Sequence, residues 1–131
     1  MTATVTHLEG TEYQRNRAFS PAVVTEGGKT IWLAGQTTTT DADGNDISGK
    51  FEEQTRSCFA LIDKTLQRAG ATLSNIVWMT VFIEDPRNGD AFVKLRSSVF
   101  RDGVFPASAL LTVSNFARPG IEIEIQAIAV V

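Results

Sequence analysis

The chain has a single cysteine and a single histidine among its 131 residues, and each scarcity removes a class of chemistry. One cysteine, Cys58, excludes an internal disulfide. One histidine, His7, with no cysteine near it, offers neither a zinc ligand pair nor a nucleophile–base dyad. A strand residue in solvent is the expectation for it. Positive charge is also short: 12 Lys and Arg against 15 Asp and Glu give a net charge of −3. The basic residues are scattered, so there is no stripe to hold a phosphate backbone, which argues against nucleic acid as a partner. No apolar run approaches the length of a membrane span, and no basic segment followed by an apolar one opens the chain. Cytoplasmic residence without membrane contact is expected.

The length fits one domain over residues 1–131, and 43% hydrophobic with 21% charged residues is ordinary for a globular protein. The most informative stretch is the last. Ile121, Ile123, Ile125, Ala127, Ala129 and Val131 recur at a spacing of two, while Glu122, Glu124 and Gln126 occupy the other face before Ile128 and Val130. Such alternation means a long strand with one face in a core, since a helix would scatter those residues around its axis. The second face, polar and then apolar, suggests a half-covered sheet surface with a polar cleft at one end.

Upstream, residues 2–8 suggest a short edge strand and 9–17 a loop. Residues 22–25 and 30–34 flank Gly27-Gly28 in a pattern that predicts a hairpin. Asp41, Asp43, Asn45 and Glu52 sit at the first, third, fifth and twelfth positions of a calcium loop. Asp46 stands where that loop needs glycine and no helix precedes it, so a turn is expected, without metal. Residues 51–69 carry an apolar stripe through Phe51, Cys58, Ile62 and Leu66 and predict an amphipathic helix closed by Gly70. Cys58 lies on that stripe and is expected in the core. Residues 76–83 are almost continuously apolar, as in a strand covered on both faces. A second helix follows over 91–100, then strands at 109–113 and 121–131. The order predicts an α+β fold, two helices on one face of a mostly antiparallel six-stranded sheet. Apolar residues remain for the other face, so burial against further copies of the chain is expected.

Four local patterns resemble the Rid (reactive intermediate deaminase) superfamily, also called YjgF-like or L-PSP endoribonuclease. They are Phe19-Ser20-Pro21-Ala22-Val23, the run from Gly28 to Gln36, Val81-Phe82-Ile83-Glu84-Asp85, and Phe105-Pro106-Ala107 with Ile123 to Ala129. The resemblance implies a chorismate-mutase-like fold of the bacillus type, a homotrimer, and ligand clefts between subunits. It implies hydrolysis of imines or enamines such as 2-aminoacrylate to 2-keto acids and ammonia, with no cofactor and no metal. In the best-known branch an Arg directly after the Pro-Ala pair grips the substrate carboxylate, and a Glu on the last strand orients the water.

Glu124 matches that Glu, and Gly35 and Gln36 match the pocket's Gly-Gln pair. Ala34 replaces a Ser before them, Phe19 replaces a Tyr, Leu110 replaces a Cys, and Ser108 stands in place of the Arg. A charge-assisted contact of about 1.5–3 kcal/mol is worth about 10- to 150-fold in affinity. A hydroxyl does not replace a bidentate guanidinium. The expectation is therefore a hydrolytic deaminase of altered specificity. Glu124 would orient water, Ser108 and Gln36 would hold a polar group, and Phe19 and Trp32 would stack on the substrate. Arg96 or Arg118 would substitute for the missing cation, unless both are solvated surface residues. The alternative is a non-catalytic trimer that binds a small metabolite, or acts as a chaperone, through the same cleft. Ribonuclease activity, the family's older label, is poorly supported by so acidic a chain.

Overall fold

A computed structural model describes residues 2–131. The chain runs β1 (Thr4–His7), α1 (Glu12–Asn16), β2 (Val23–Glu26), β3 (Thr30–Trp32), α2 (Phe51–Arg68), β4 (Ile76–Ile83), α3 (Gly89–Val99), β5 (Ala107–Thr112) and β6 (Ile123–Val130). The long terminal strand is central. It pairs antiparallel with β3 on one edge and with β4 on the other, and β5 adds to β4 in parallel, giving the order β3-β6-β4-β5.

Alternation settles which face of β6 is inside. Ile123, Ile125, Ala127 and Ala129 are at most 1% exposed and pack with Phe59, Ile62 and Leu66 of α2 and Phe92 of α3. On the opposite, helix-free face, Trp32, Ile128 and Trp78 stand side by side across β3, β6 and β4. Trp32 is 76% exposed there, and Leu111 of β5 is 47% exposed. The nearly continuous apolar run of β4 has a structural cause. Between Ile76 and Trp78 the register shifts, so Ile76 stays with the buried Ala129 while Trp78 moves to the free face beside Ile128.

Three expectations need correction. The six strands form two sheets, four-stranded and two-stranded, because β1 and β2 pair only with each other. The hairpin expected over residues 22–34 does not close. Gly27 and Gly28 do make the turn, at φ 69° and 74°. Beyond them Lys29 exchanges hydrogen bonds of 2.6 and 2.9 Å with Val131, so β3 is captured by the terminal strand instead of by β2. Any side chain at 28 would place its Cβ 2.5 Å from the Val131 carbonyl oxygen, which is why glycine stands there. Third, the expected loop at 9–17 contains helix α1. Thr11 Oγ1 accepts from the Gln14 N–H, and Gln14 Oε1 accepts from the Thr11 N–H, a reciprocal cap.

Gln54 and Cys58 of α2 are both fully buried against this core. Gln54 donates through Nε2 to the carbonyls of Ile47 (2.9 Å) and Gly120 (2.7 Å) and accepts from the Glu122 N–H (2.8 Å). It thereby ties the loop before α2 to the segment leading into β6. Gln54→Leu strands the Glu122 N–H, at about 1–3 kcal/mol, and takes one of two hydrogen bonds from each of the Ile47 and Gly120 carbonyls, which keep the N–H groups of Lys50 and Gly49. Urea unfolding is expected to show a loss of about 2–4 kcal/mol. Cys58 donates to the Gln36 carbonyl at 3.4 Å and is 0% exposed. Burial, and secondarily the charge of Glu124, push its thiol from the ordinary 9.0 up to about 12. The unfolded thiol ionises from about pH 9 while the folded one holds its proton, so this contribution to stability falls as pH rises through that window. The stability difference between wild type and Cys58→Ala should shrink measurably from pH 8 to pH 10, and thiol reagents at pH 8 should label only the unfolded chain.

Candidate functional site

The sequence-predicted residues fall into two groups separated by the sheet. On the helix-free face, Glu124 lies opposite Phe82 and is partly buried. Its carboxylate folds over Gly35, where any Cβ would collide with Oε2. Gly35 is held in place because Gln36 bridges Ile125, N–H to carbonyl at 2.8 Å and back at 3.1 Å. The Gln36 side chain donates to the Thr37 carbonyl at 3.4 Å. Among the described residues no hydrogen bond or ion pair engages the Glu124 carboxylate. It opens instead onto a shallow recess of about 230 Å³ lined by Phe82, Val113, Asn115, Phe116 and Ala117. A carboxylate held against backbone, free of cations and reachable from outside, is suited to accept a proton or a hydrogen bond from a small polar molecule.

The second group lies under the helices. Ser108 pairs in register with the fully buried Met79 and so points to the covered side of the sheet. Arg96 of α3 reaches it: Nη1 donates to Ser108 Oγ at 2.7 Å, and Nη2 donates to the Arg17 carbonyl at 2.9 Å. The expectation of a solvated arginine is wrong at this position, since Arg96 is 2% exposed with its guanidinium 4.9 Å from the Phe92 ring centre. Burial, with repulsion from Arg17 second, pulls its pKa down to about 10, so it stays cationic at neutral pH. Its Nε is buried without a hydrogen-bond partner.

Phe19 joins this group through strand-like pairing. Ser20 donates its N–H to the Pro106 carbonyl (3.0 Å) and its hydroxyl to the Phe105 carbonyl (2.6 Å), which lays Phe19 alongside the start of β5. Phe19, Arg96, Ser108, Val93, Leu110, Tyr13 and Arg17 enclose a recess of about 240 Å³. Tyr13 and Arg17 are additions that sequence reasoning missed. Their signal was present in Thr11-Glu12-Tyr13-Gln14, whose capping box starts a helical turn that sets residues four apart on one side. Arg17 is itself paired with Asp90 at 2.6 Å.

Trp32 belongs to neither recess and lies on the helix-free face. Arg118 is exposed in the loop before β6 and lines neither recess. Among the described residues no three His, Cys, Asp or Glu side chains converge as a metal site. The acidic loop after β3 folds on itself, Asp41 Oδ1 accepting from the N–H groups of Asp43 and Asn45 at 2.9 Å. Two residues before Glu124, at the start of β6, burial first and the neighbouring Glu84 next raise the pKa of Glu122.

Known proteins with the same features are many. The family model for endoribonuclease L-PSP matches residues 11–131. A RutC family protein of Pyrococcus abyssi is 30% identical over 102 residues, covering 78% of this chain and 79% of that one. The mitochondrial protein mmf1 of Schizosaccharomyces pombe is 32% identical over 90 residues, 67% of this chain, which spans only 55% of that protein's length. Among solved structures, YyfB of the conserved Rid protein family from Yersinia pestis superposes over the full length of both chains, with a TM-score of 0.84 and 26% identity. Rv2704 of Mycobacterium tuberculosis, of the YjgF/YER057c/UK114 family, has a TM-score of 0.68 at 25% identity over 99% of this chain and 100% of that one. The chain belongs to the Rid superfamily, the YjgF-like or L-PSP endoribonuclease family.

Proposed function

We propose that the chain is a hydrolytic deaminase of an imine or enamine, acting in clefts between the copies of a homotrimer, with Glu124 orienting the attacking water. The observation that carries this is the Glu124 carboxylate, unpartnered among the described residues and held over Gly35 at the mouth of a recess. The requirement for further copies has separate support. Glu124 and Gly35 lie on one side of the sheet, whereas Phe19, Ser108 and Arg96 lie on the other, so one copy cannot bring the two groups to one ligand. The face that carries Glu124 also exposes Trp32, Trp78 and Leu111, an apolar area suited to burial against a neighbour.

The chemistry is undemanding. Water adds to the carbon of C=NH as the nitrogen takes a proton, and the carbinolamine then expels ammonia and leaves C=O. Glu124 takes a proton from the attacking water and passes it to the imine nitrogen, then takes the carbinolamine hydroxyl's proton and passes it to the leaving nitrogen, so both protons of the water end on ammonia and none is consumed. Positioned general-base catalysis of this kind contributes about 100- to 10,000-fold. No metal or cofactor is required by the step.

Imines generated in place by an amino-acid oxidase, with the remainder trapped by semicarbazide, supply the assay. Glu124→Gln should lower kcat/KM about 100- to 10,000-fold without changing sedimentation. If no imine from a broad panel disappears faster with wild type than with Glu124→Gln, the catalytic reading fails. Metabolite binding without consumption would leave a receptor in its place. Sedimentation at micromolar concentration should give three copies per particle, and Trp32→Lys with Trp78→Lys should give one. A wild-type monomer would remove the shared cleft.

A further inference from the structure

We infer that the groove between α2 and α3 is a docking site for an acidic amphipathic helix of another protein. The inference goes beyond the reaction proposed above and is independent of it, because these helices cover the face of the sheet opposite Glu124. An assembly through the helix-free face would leave the groove outward.

Two recesses make the groove, and Val99 lines both. The first, about 200 Å³, lies between the helices, where Phe59 of α2 and Leu95 of α3 join Val99. Phe59 is fixed there by Phe92, stacked at 6.3 Å, and by Phe100, edge-on at 6.2 Å. The second recess, about 350 Å³, continues past the end of α3, where Phe100 and Val104 join Val99 near the turn at Leu73–Asn75. The hydroxyls on the walls are spent within the chain. Thr55 Oγ1 donates to the Phe51 carbonyl at 2.8 Å, Ser98 Oγ donates to the Leu95 carbonyl at 2.6 Å, and Ser74 Oγ shares a 2.8 Å hydrogen bond with Thr72 Oγ1. What remains is one guanidinium to each recess, Arg56 at the first and Arg101 at the second. Among the described residues neither enters an ion pair, although Glu52 lies one turn before Arg56 and Asp102 adjoins Arg101. No acid lines either recess.

A hydrocarbon floor with a cation to each recess selects an occupant that is apolar along its middle and acidic on both sides of it. A single-headed amphiphile such as a fatty acid would answer one guanidinium and leave the other idle. A nucleic acid would answer both and leave the floor wet. A helix meets all of it. Side chains three and four apart stand about 5–6 Å from each other on one face, so apolar residues reach both recesses while acids flank them. The side-chain rows of α2 and α3 are also the ridges between which a third helix packs. Since the chain as a whole carries a net charge of −3, attraction for an acid is confined to these two arginines, and neutralising them should remove it.

The test is a phage-displayed library of helical peptides, with leucine fixed along one face and every other position randomised, selected on the full chain. Selection should enrich Asp and Glu at both ends of the leucine stripe. The selected peptide, labelled and titrated by fluorescence anisotropy, should bind the double variant Arg56→Gln with Arg101→Gln about 5- to 30-fold more weakly than wild type. It should lose measurable binding to Val99→Glu, which puts a carboxylate where the two recesses meet. Should Val99→Glu fail to fold, Leu95→Gln is the second arm, with an expected loss of about 10-fold. Bound peptide should also slow hydrogen exchange of the amides of residues 55–59 and 95–104. The inference is overturned if nothing is enriched, if the enriched peptides are neutral or basic at their ends, or if the arginine variant binds them as wild type does. Protection that appears on the helix-free face instead would overturn it as well. So would decanoate binding in the groove in place of any peptide, which would mark a site for an acyl anion.

Discussion

Strand β6 is hydrogen-bonded on both edges and committed on one face, and the position of every other functional group follows from that double constraint. Ile123 and Ile125 are each 0% exposed, worth about 1.5–3 kcal/mol apiece in burial. A slip of one residue would exchange them for Glu124 and Gln126 beneath the helices. The cost of sealing a carboxylate there, several kcal/mol, is larger than any contact the slipped strand could regain. The apolar alternation therefore does two things at once. It builds the core, and it fixes Glu124 on the free face at a defined distance along the strand. Gly35 then follows: the strand segment beside β6 can approach the carboxylate only if it carries no side chain.

The same sheet acts as a partition. With α2 and α3 covering one face, β5 shows Ser108 to the covered side and Ala109 and Leu111 to the free side. Arg96 and Glu124, each without a charged partner among the described residues, sit on opposite sides of that partition. Under the proposed assembly, a neighbouring copy is what would bring these two opposite charges, kept apart within one chain, to one cleft. The exposed Trp32 and Trp78 give the free face an apolar area suited to such a contact.

The elements legible in the sequence are those whose local pattern and tertiary role agree. The apolar stripe predicted helix 51–69 and the apolar run predicted strand 76–83, within a residue of α2 and β4 as observed. The hairpin failed because turn chemistry specifies that a chain reverses, not which strand its second arm joins. Lys29 and Val131 lie over a hundred residues apart, and their pairing has no local signature. Helix α1, five residues long, has too little periodicity to register, although its capping box was readable. Gln54 was invisible because its three acceptors and donors come from residues 47, 120 and 122. Of the expected site residues, Glu124, Gly35 and Gln36 lie together in the structure, whereas the burial of Arg96 depends on packing that helix spacing cannot reveal.

Position 108 shows why a single missing residue is a poor guide to a missing charge. Its side chain points to the covered face, at the place where α3 delivers a guanidinium. A long cation at 108 would compete with Arg96 for one space and place two like charges in contact, in addition to Arg17. A serine is small enough to admit Arg96 and polar enough to orient it. The two positions are thus coupled: the hydroxyl on the strand accepts from the helix-borne arginine, and both fit because residue 108 is small. Phe92, one turn before Arg96 on the same helix, supports the guanidinium from its ring face, a contact that a strand-borne arginine at 108 would have to find elsewhere. Charge in this fold is therefore a property of the recess, assembled from α1, α3 and β5 together, and not of any one strand residue.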